Sequence, residues 1–175
     1  MSARSSRAAV MAPLLAFAAI SVPAAAQAPF EPPPQAPGAV NPEVTQENVG
    51  ETICVRRWTK TIRPPVSYTN RLNREKLATL GYADQNPMHY EEDHRVPLEV
   101  GGHPRDPRNL FPEPRSPDGH CDGVHRTAEC KDRLETFVHR EVCARRMSLE
   151  EGRAIFLGDW IAAYRRHIGH QPMPR

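Results

Sequence analysis

The chain has 175 residues, 39% of them hydrophobic, with 23 Lys and Arg against 21 Asp and Glu and a formal net charge of +2. That length suits one domain, and the apolar fraction is low for a large core once a separable N-terminus is set aside. The near-neutral balance rules out bulk charge as a guide to partners, so any contact with nucleic acid or membrane has to be local.

Residues 1–26 read as a secretory signal peptide. Arg4 and Arg7 precede an apolar run over residues 8–22, and Ala24, Ala25 and Ala26 offer a small-residue cleavage site. Removing this segment takes away two arginines and no acid, so the charge falls from +2 to 0. The run is too short and too Ala-rich for a permanent membrane helix, and no other long apolar stretch occurs. The mature protein is therefore expected to be exported, periplasmic or secreted, without stable membrane insertion. Residues 27–49 hold six prolines, including Pro32, Pro33 and Pro34, and read as a disordered or PPII-like spacer ahead of a domain over 50–170.

The β-branched and aromatic residues of 51–69, interrupted by Pro64 and Pro65, predict one or two short strands, with Trp58 a half-buried aromatic. Leu72, Leu77 and Leu80 lie near helical spacing and stop at Gly81, which predicts a short scaffolding helix over 70–80.

Residues 90–114, YEEDHRVPLEVGGHPRDPRNLFPEP, carry the densest chemistry. Val96, Leu98 and Val100 alternate with other residues and read as a strand closed by Gly101 and Gly102. After a wide loop, Asn109, Leu110 and Phe111 can pair back before Pro112 and Pro114 end the return strand. Asp93 and His94 stand side by side in this hairpin. Hydrolysis of a phosphodiester needs a base near neutral pH, which an imidazole supplies, and positive charge on the phosphorane, which a cation anchored by a carboxylate supplies. Arg105, Arg108 and Arg115 flank the segment and are candidate phosphate contacts, against the alternative of a solvated basic surface.

An irregular loop over 115–126 contains His120 and His125. From about Thr127 a helix is predicted, with Leu134, Phe137, Val138 and Val142 on one stripe. Its His139 reads as a core histidine bonded to a backbone group. Ser148 and Glu151 form a capping-box pair that opens a final helix carrying Leu157, Trp160, Ile161, Tyr164 and Ile168 on one face. Four cysteines in an exported chain suggest two disulfides with three pairings open; Cys54 with Cys143 and Cys121 with Cys130 is favoured, because the first would tie the segment before the motif to the helix after it. Zinc held by Cys121, Cys130 and nearby histidines is the competing account, weakened by the lack of a C-x-x-C pair.

The order Asp93-His94, Pro97-Leu98, Gly101-Gly102, Asn109-Leu110 resembles the HNH endonucleases, in an exported bacterial branch that is also similar over KDRLETFVHREVC, residues 131–143, and CVRRWTKTIRPPVSYTN, residues 54–70. The resemblance implies an α+β domain with a ββα-metal core, Asp93 as metal ligand, His94 as general base and Asn109 as the residue that pins the loop. It implies a divalent ion, Mg2+ first, with Mn2+, Ni2+ or Zn2+ as alternatives, and a nucleic-acid substrate, DNA before RNA. The family's helix-side ligand would fall at Thr127, whose hydroxyl is a weak ligand; His125 is taken as the substitute, with His120 and Glu129 next. The expected function is a metal-dependent endonuclease. The alternative is a degenerate scaffold that serves as an exported binding module.

Overall fold

The computed structural model describes residues 32–169. In it, two adjacent prolines decide how the chain enters its first long helix. A single helical turn and a half, α1 (Trp58–Ile62), leads to Pro64 and Pro65, and α2 (Val66–Thr79) begins at the next residue with Pro65 as its N-cap. A residue before proline is pushed out of the helical region, so no continuous helix can cross this point. The strands expected over 51–69 are absent: turns, α1 and the start of α2 occupy that stretch. The helix penalty of β-branched residues is only about 0.7 kcal/mol or less each, and burial of Leu77 on the inner face of α2 overrides it. Trp58 is partly buried against the core, as expected.

The hairpin consists of β1 (Tyr90–His94) and β2 (Leu110–Pro114), antiparallel, with Asp93 opposite Phe111 and Glu91 opposite Glu113. Pro112 and Pro114 lie inside β2 rather than beyond it. Ladder bonds at the two ends, Arg95 N–H to Asn109 O and Arg115 N–H to His89 O, set the alternation, which leaves Pro112 and Pro114 at positions where no N–H is asked of them. The outer side of β2 is covered by α2 and its following turn: Tyr82 Oη donates to Pro112 O at 2.9 Å, and Lys76 Nζ donates to Leu110 O.

Val96, Leu98 and Val100 are buried, yet they belong to the loop and not to a strand. Pro97 opens a 3-10 turn over Leu98–Val100, which turns all three side chains into the core. Gly101 closes it with φ +72°, and Gly102 has no room for a side chain, since a Cβ there would lie 1.7 Å from Val96 O. This pair of glycines is therefore a steric requirement.

Residues 32–49 are not a free spacer. Ala36, Val44 and Val49 are buried, Val40 bridges Gly102, and Gly38, Ala39 and Asn41 exchange backbone hydrogen bonds with Arg108, His103 and Gly101. Arg153 fastens this strap to the loop by donating to Val100 O at 3.0 Å and Val44 O at 2.9 Å. The prolines shape a strap with few residues to pack, but those few enter the core. Residues 27–31 and the expected signal peptide lie outside the described residues.

The core is built by α3 (Ala128–Cys143), α4 (Leu149–Leu157) and α5 (Trp160–His167). Leu134, Val138 and Val142 form the buried stripe of α3, with Phe137 at its edge. Ser148 and Glu151 make the reciprocal capping box of α4. The single final helix expected from Ser148 onward is broken at Gly158, and Asp159 recaps α5 by accepting from Ala162 N–H; Leu157 points out, 44% exposed. The disulfides pair as favoured. Cys54–Cys143 closes a separation of 89 residues, worth about 4–5 kcal/mol by chain entropy, and Cys121–Cys130 a separation of 9, worth about 2–3 kcal/mol. Both are compatible with export, and no described helix is long and apolar enough to cross a membrane.

Candidate active site

His94 and Asp93 are neighbours in β1, so the pleat sends their side chains to opposite faces of the hairpin. His94 and Glu92 share the α2 face, where Lys76 pairs with Glu92 at 3.4 Å. Asp93 and Glu113 share the face reached by Lys131 of α3.

His94 is 4% exposed and its Nε2 lies 3.1 Å from Pro104 O. A carbonyl oxygen only accepts, so Nε2 carries the hydrogen and Nδ1 keeps the lone pair. Burial lowers the imidazole pKa to about 4, ahead of the opposing pull of the Asp93 charge, so the ring is a neutral base at neutral pH.

The bond that orients His94 comes from the loop, and the loop is held by Asn109. Its Oδ1 accepts from Val96 N–H at 2.8 Å and Ala39 N–H at 3.2 Å, while its Nδ2 donates to Val96 O and His103 O, both at 3.0 Å. All the bonding capacity of one amide is used to join the strap, the 3-10 turn and the segment ending at Pro104. His103 is itself a brace, half-buried, its Nδ1 accepting from Arg105 and Asp106 N–H.

Asp93 is committed on both oxygens. Oδ1 accepts from His94 N–H at 2.7 Å, and Oδ2 from Lys131 Nζ at 2.6 Å. Lys131, whose side chain is 1% exposed, also meets Glu135 at 2.6 Å and Glu113 at 3.7 Å. Burial opposes its charge, but the Asp93, Glu135 and Glu113 carboxylates outweigh that and hold its pKa well above the ordinary lysine value. Burial likewise opposes ionisation of Asp93, and Lys131 overcomes it, leaving the carboxyl well below the usual range. Glu113, more burdened by burial and by the Asp93 charge, is raised well above it.

The residues expected to hold a divalent ion do not fit one in this arrangement. Asp93 already carries an ammonium. The side chain of His125 is 71% exposed, with its Nδ1 2.5 Å from Asp122 Oδ2; His120 is exposed and bonds back to Asp118, and Glu129 accepts from Ser116 N–H. Thr127 offers only a buried hydroxyl without a hydrogen-bond partner. Among the described residues the one set of three His, Cys, Asp or Glu ligand atoms close enough to share an ion is Cys54, His139 and Cys143. Two of these are joined in a disulfide, and the His139 ring meets Ile53 O at 2.9 Å. Zinc through Cys121 and Cys130 is likewise excluded by their disulfide.

On the α2 side, a groove of about 440 Å³ runs past His94, lined among others by Arg63, Arg74, Arg115, Asn73 and Glu92. Arg115 is thus at the site, paired with Glu91 at 2.6 Å. Arg105 and Arg108 do not line it; Arg108 is forked onto Asp106. Glu92, lifted to about 7 by burial against the opposing Lys76 charge, sits on its floor.

Sequence reasoning missed Lys131 and Glu135, because a Lys and a Glu four apart on a helix look like an ordinary solvated pair, and Glu113, which stands between two prolines in β2. Reading 70–80 as scaffolding hides Asn73 and Arg74, and Arg63 stands at the C-cap of α1, inside the stretch expected as strands. No protein-family model, curated protein or solved structure matches the chain.

Proposed function

We propose that the chain is an HNH-type hydrolase of nucleic-acid phosphodiester bonds, with His94 as its general base. The observation that carries this is a buried, neutral imidazole whose tautomer is set by Pro104 O and whose site opens on a groove lined by Arg63, Arg74 and Arg115. His94 Nδ1 takes a proton from a water, and the oxygen attacks phosphorus in line. The bond from phosphorus to the 3′ oxygen breaks, and the departing oxygen takes a proton from solvent. Arginine guanidinium groups neutralise charge on the equatorial oxygens. Asn109 positions the base through the loop and touches no reacting atom. Because Lys131 occupies Asp93, no step is assigned to a divalent ion.

The test is cleavage of plasmid DNA and of labelled DNA and RNA strands, by wild type and His94→Ala, in Mg2+, Mn2+, Ni2+ or Zn2+ and in chelator. Cleavage that survives chelation and falls by at least about a hundredfold in His94→Ala is the expected result. Equal cleavage by the two proteins would remove His94 from the mechanism. Cleavage only with added ion would mean that Lys131 yields Asp93 to a metal. A second reading, an exported module that binds nucleic acid without cutting it, is favoured by the sealing of Asp93 under Lys131; wild type that cuts nothing under any condition would select it.

A further inference from the structure

We infer that the groove beside His94 seats one unstacked nucleotide, with its base edge on Asn73 and its phosphates on the arginines at the rim, so that the substrate is single-stranded nucleic acid. This rests on the reading of His94 as a phosphodiester-cleaving base. Asn73 of α2 lines the groove while 4% exposed, and neither its Oδ1 nor its Nδ2 has a hydrogen-bond partner. Natural folds rarely leave a buried amide in that condition without a reason. An amide presents a donor and an acceptor side by side, the complement of a nucleobase edge. A phosphate, which only accepts, would leave Oδ1 unpaired.

The rest of the groove suits the same ligand. Val66 and Met88, 71% and 77% exposed, line it together with Tyr90, giving the apolar and aromatic surface on which an unstacked base rests. Arg63, Arg74 and Arg115 supply cations for the flanking phosphates. A volume of about 440 Å³ admits one nucleotide and no paired partner.

The test is fluorescence anisotropy on the oxidised protein with three phosphorothioate-linked probes, chosen so that cleavage does not intrude: a single-stranded decamer, its duplex, and a decamer abasic at its centre. Wild type should bind the intact single strand at least about tenfold more tightly than either of the others. Asn73→Leu should bring the intact strand down to the abasic level while leaving abasic binding unchanged. Arg74→Ala should weaken both single strands and reduce the salt slope by about 0.7. Equal affinity of wild type for intact and abasic strands, or an intact-to-abasic ratio that survives Asn73→Leu, would overturn the proposal. If Asn73→Leu does not fold, Met88→Glu at the exposed mouth must abolish the same ratio. Since binding is read without turnover, this can fail while His94-dependent cleavage stands, and the reverse.

Discussion

Replacing Asn109 by Ala tests whether one buried amide holds the loop that aims His94. The substitution deletes four hydrogen bonds, to the N–H groups of Val96 and Ala39 and the carbonyls of Val96 and His103, at a residue with 0% exposure. At about 1 kcal/mol net for each, the loss is about 4 kcal/mol, and buried backbone groups left unpaired push it upward. Against a typical stability of about 5–15 kcal/mol, that is a large share of the total. Asn109→Asp separates shape from polarity. It keeps an oxygen for the two N–H donors but turns an acceptor toward two carbonyls, so it should be at least as damaging at neutral pH and partly relieved in acid, where a protonated carboxyl can donate. The assay is urea unfolding of the oxidised protein at pH 5 and pH 7, with cleavage measured on the folded fraction. A loss below about 1 kcal/mol for Asn109→Ala would refute the reasoning, since the four bonds would then contribute no more than one.

Lys131→Met should cost about 3–5 kcal/mol at pH 7, because Asp93 is left buried without its cation. Without the ammonium this carboxyl titrates higher in the folded than in the unfolded chain, so the deficit should shrink as pH falls; Tm followed against pH checks it, and a pH-independent deficit would count against the Lys131–Asp93 pair. His94, with a folded pKa of about 4 against an ordinary 6.5, should withdraw stability as pH falls through that window, because the unfolded chain takes up the proton first. The interval corresponds to about 3 kcal/mol. Glu92, raised to about 7 by burial, works in the opposite sense and loses its contribution as pH rises, so the readout is the difference between wild type and His94→Gln. A flat difference between pH 4 and pH 7, or an imidazole seen by NMR to titrate near 6.5, would remove the buried neutral histidine.

Local order was legible where chemistry and spacing reinforce each other within a few residues. Gly101 and Gly102 close the turn because one adopts a positive φ and the other touches Val96 O, and both constraints belong to the backbone. Ser148 and Glu151 announce a helix start because capping is a three-residue interaction. The stripe of α3 follows the same rule of nearby partners, while the cysteine pairing, open three ways in the sequence, is decided by the fold. Patterns failed where a local signal had two solutions: the alternation of Val96, Leu98 and Val100 serves a buried 3-10 turn as well as a strand, and the β-branched residues around Pro65 fold as helix once α2 has a hairpin to cover.

By itself, then, the sequence determined an α+β chain with an adjacent Asp-His pair and an even set of cysteines, features written in composition and near neighbours. The bracing role of Asn109 came only as what the HNH resemblance implies, its bonds reaching Val96 and the distant Ala39. Only the tertiary structure decided that Lys131 meets Asp93, that residues 32–49 enter the core, and that Arg63, Asn73 and Arg74 come beside His94. These associations join residues tens of positions apart, and they are created by the packing of α2 and α3 on opposite faces of one small hairpin. No spacing along the chain encodes them.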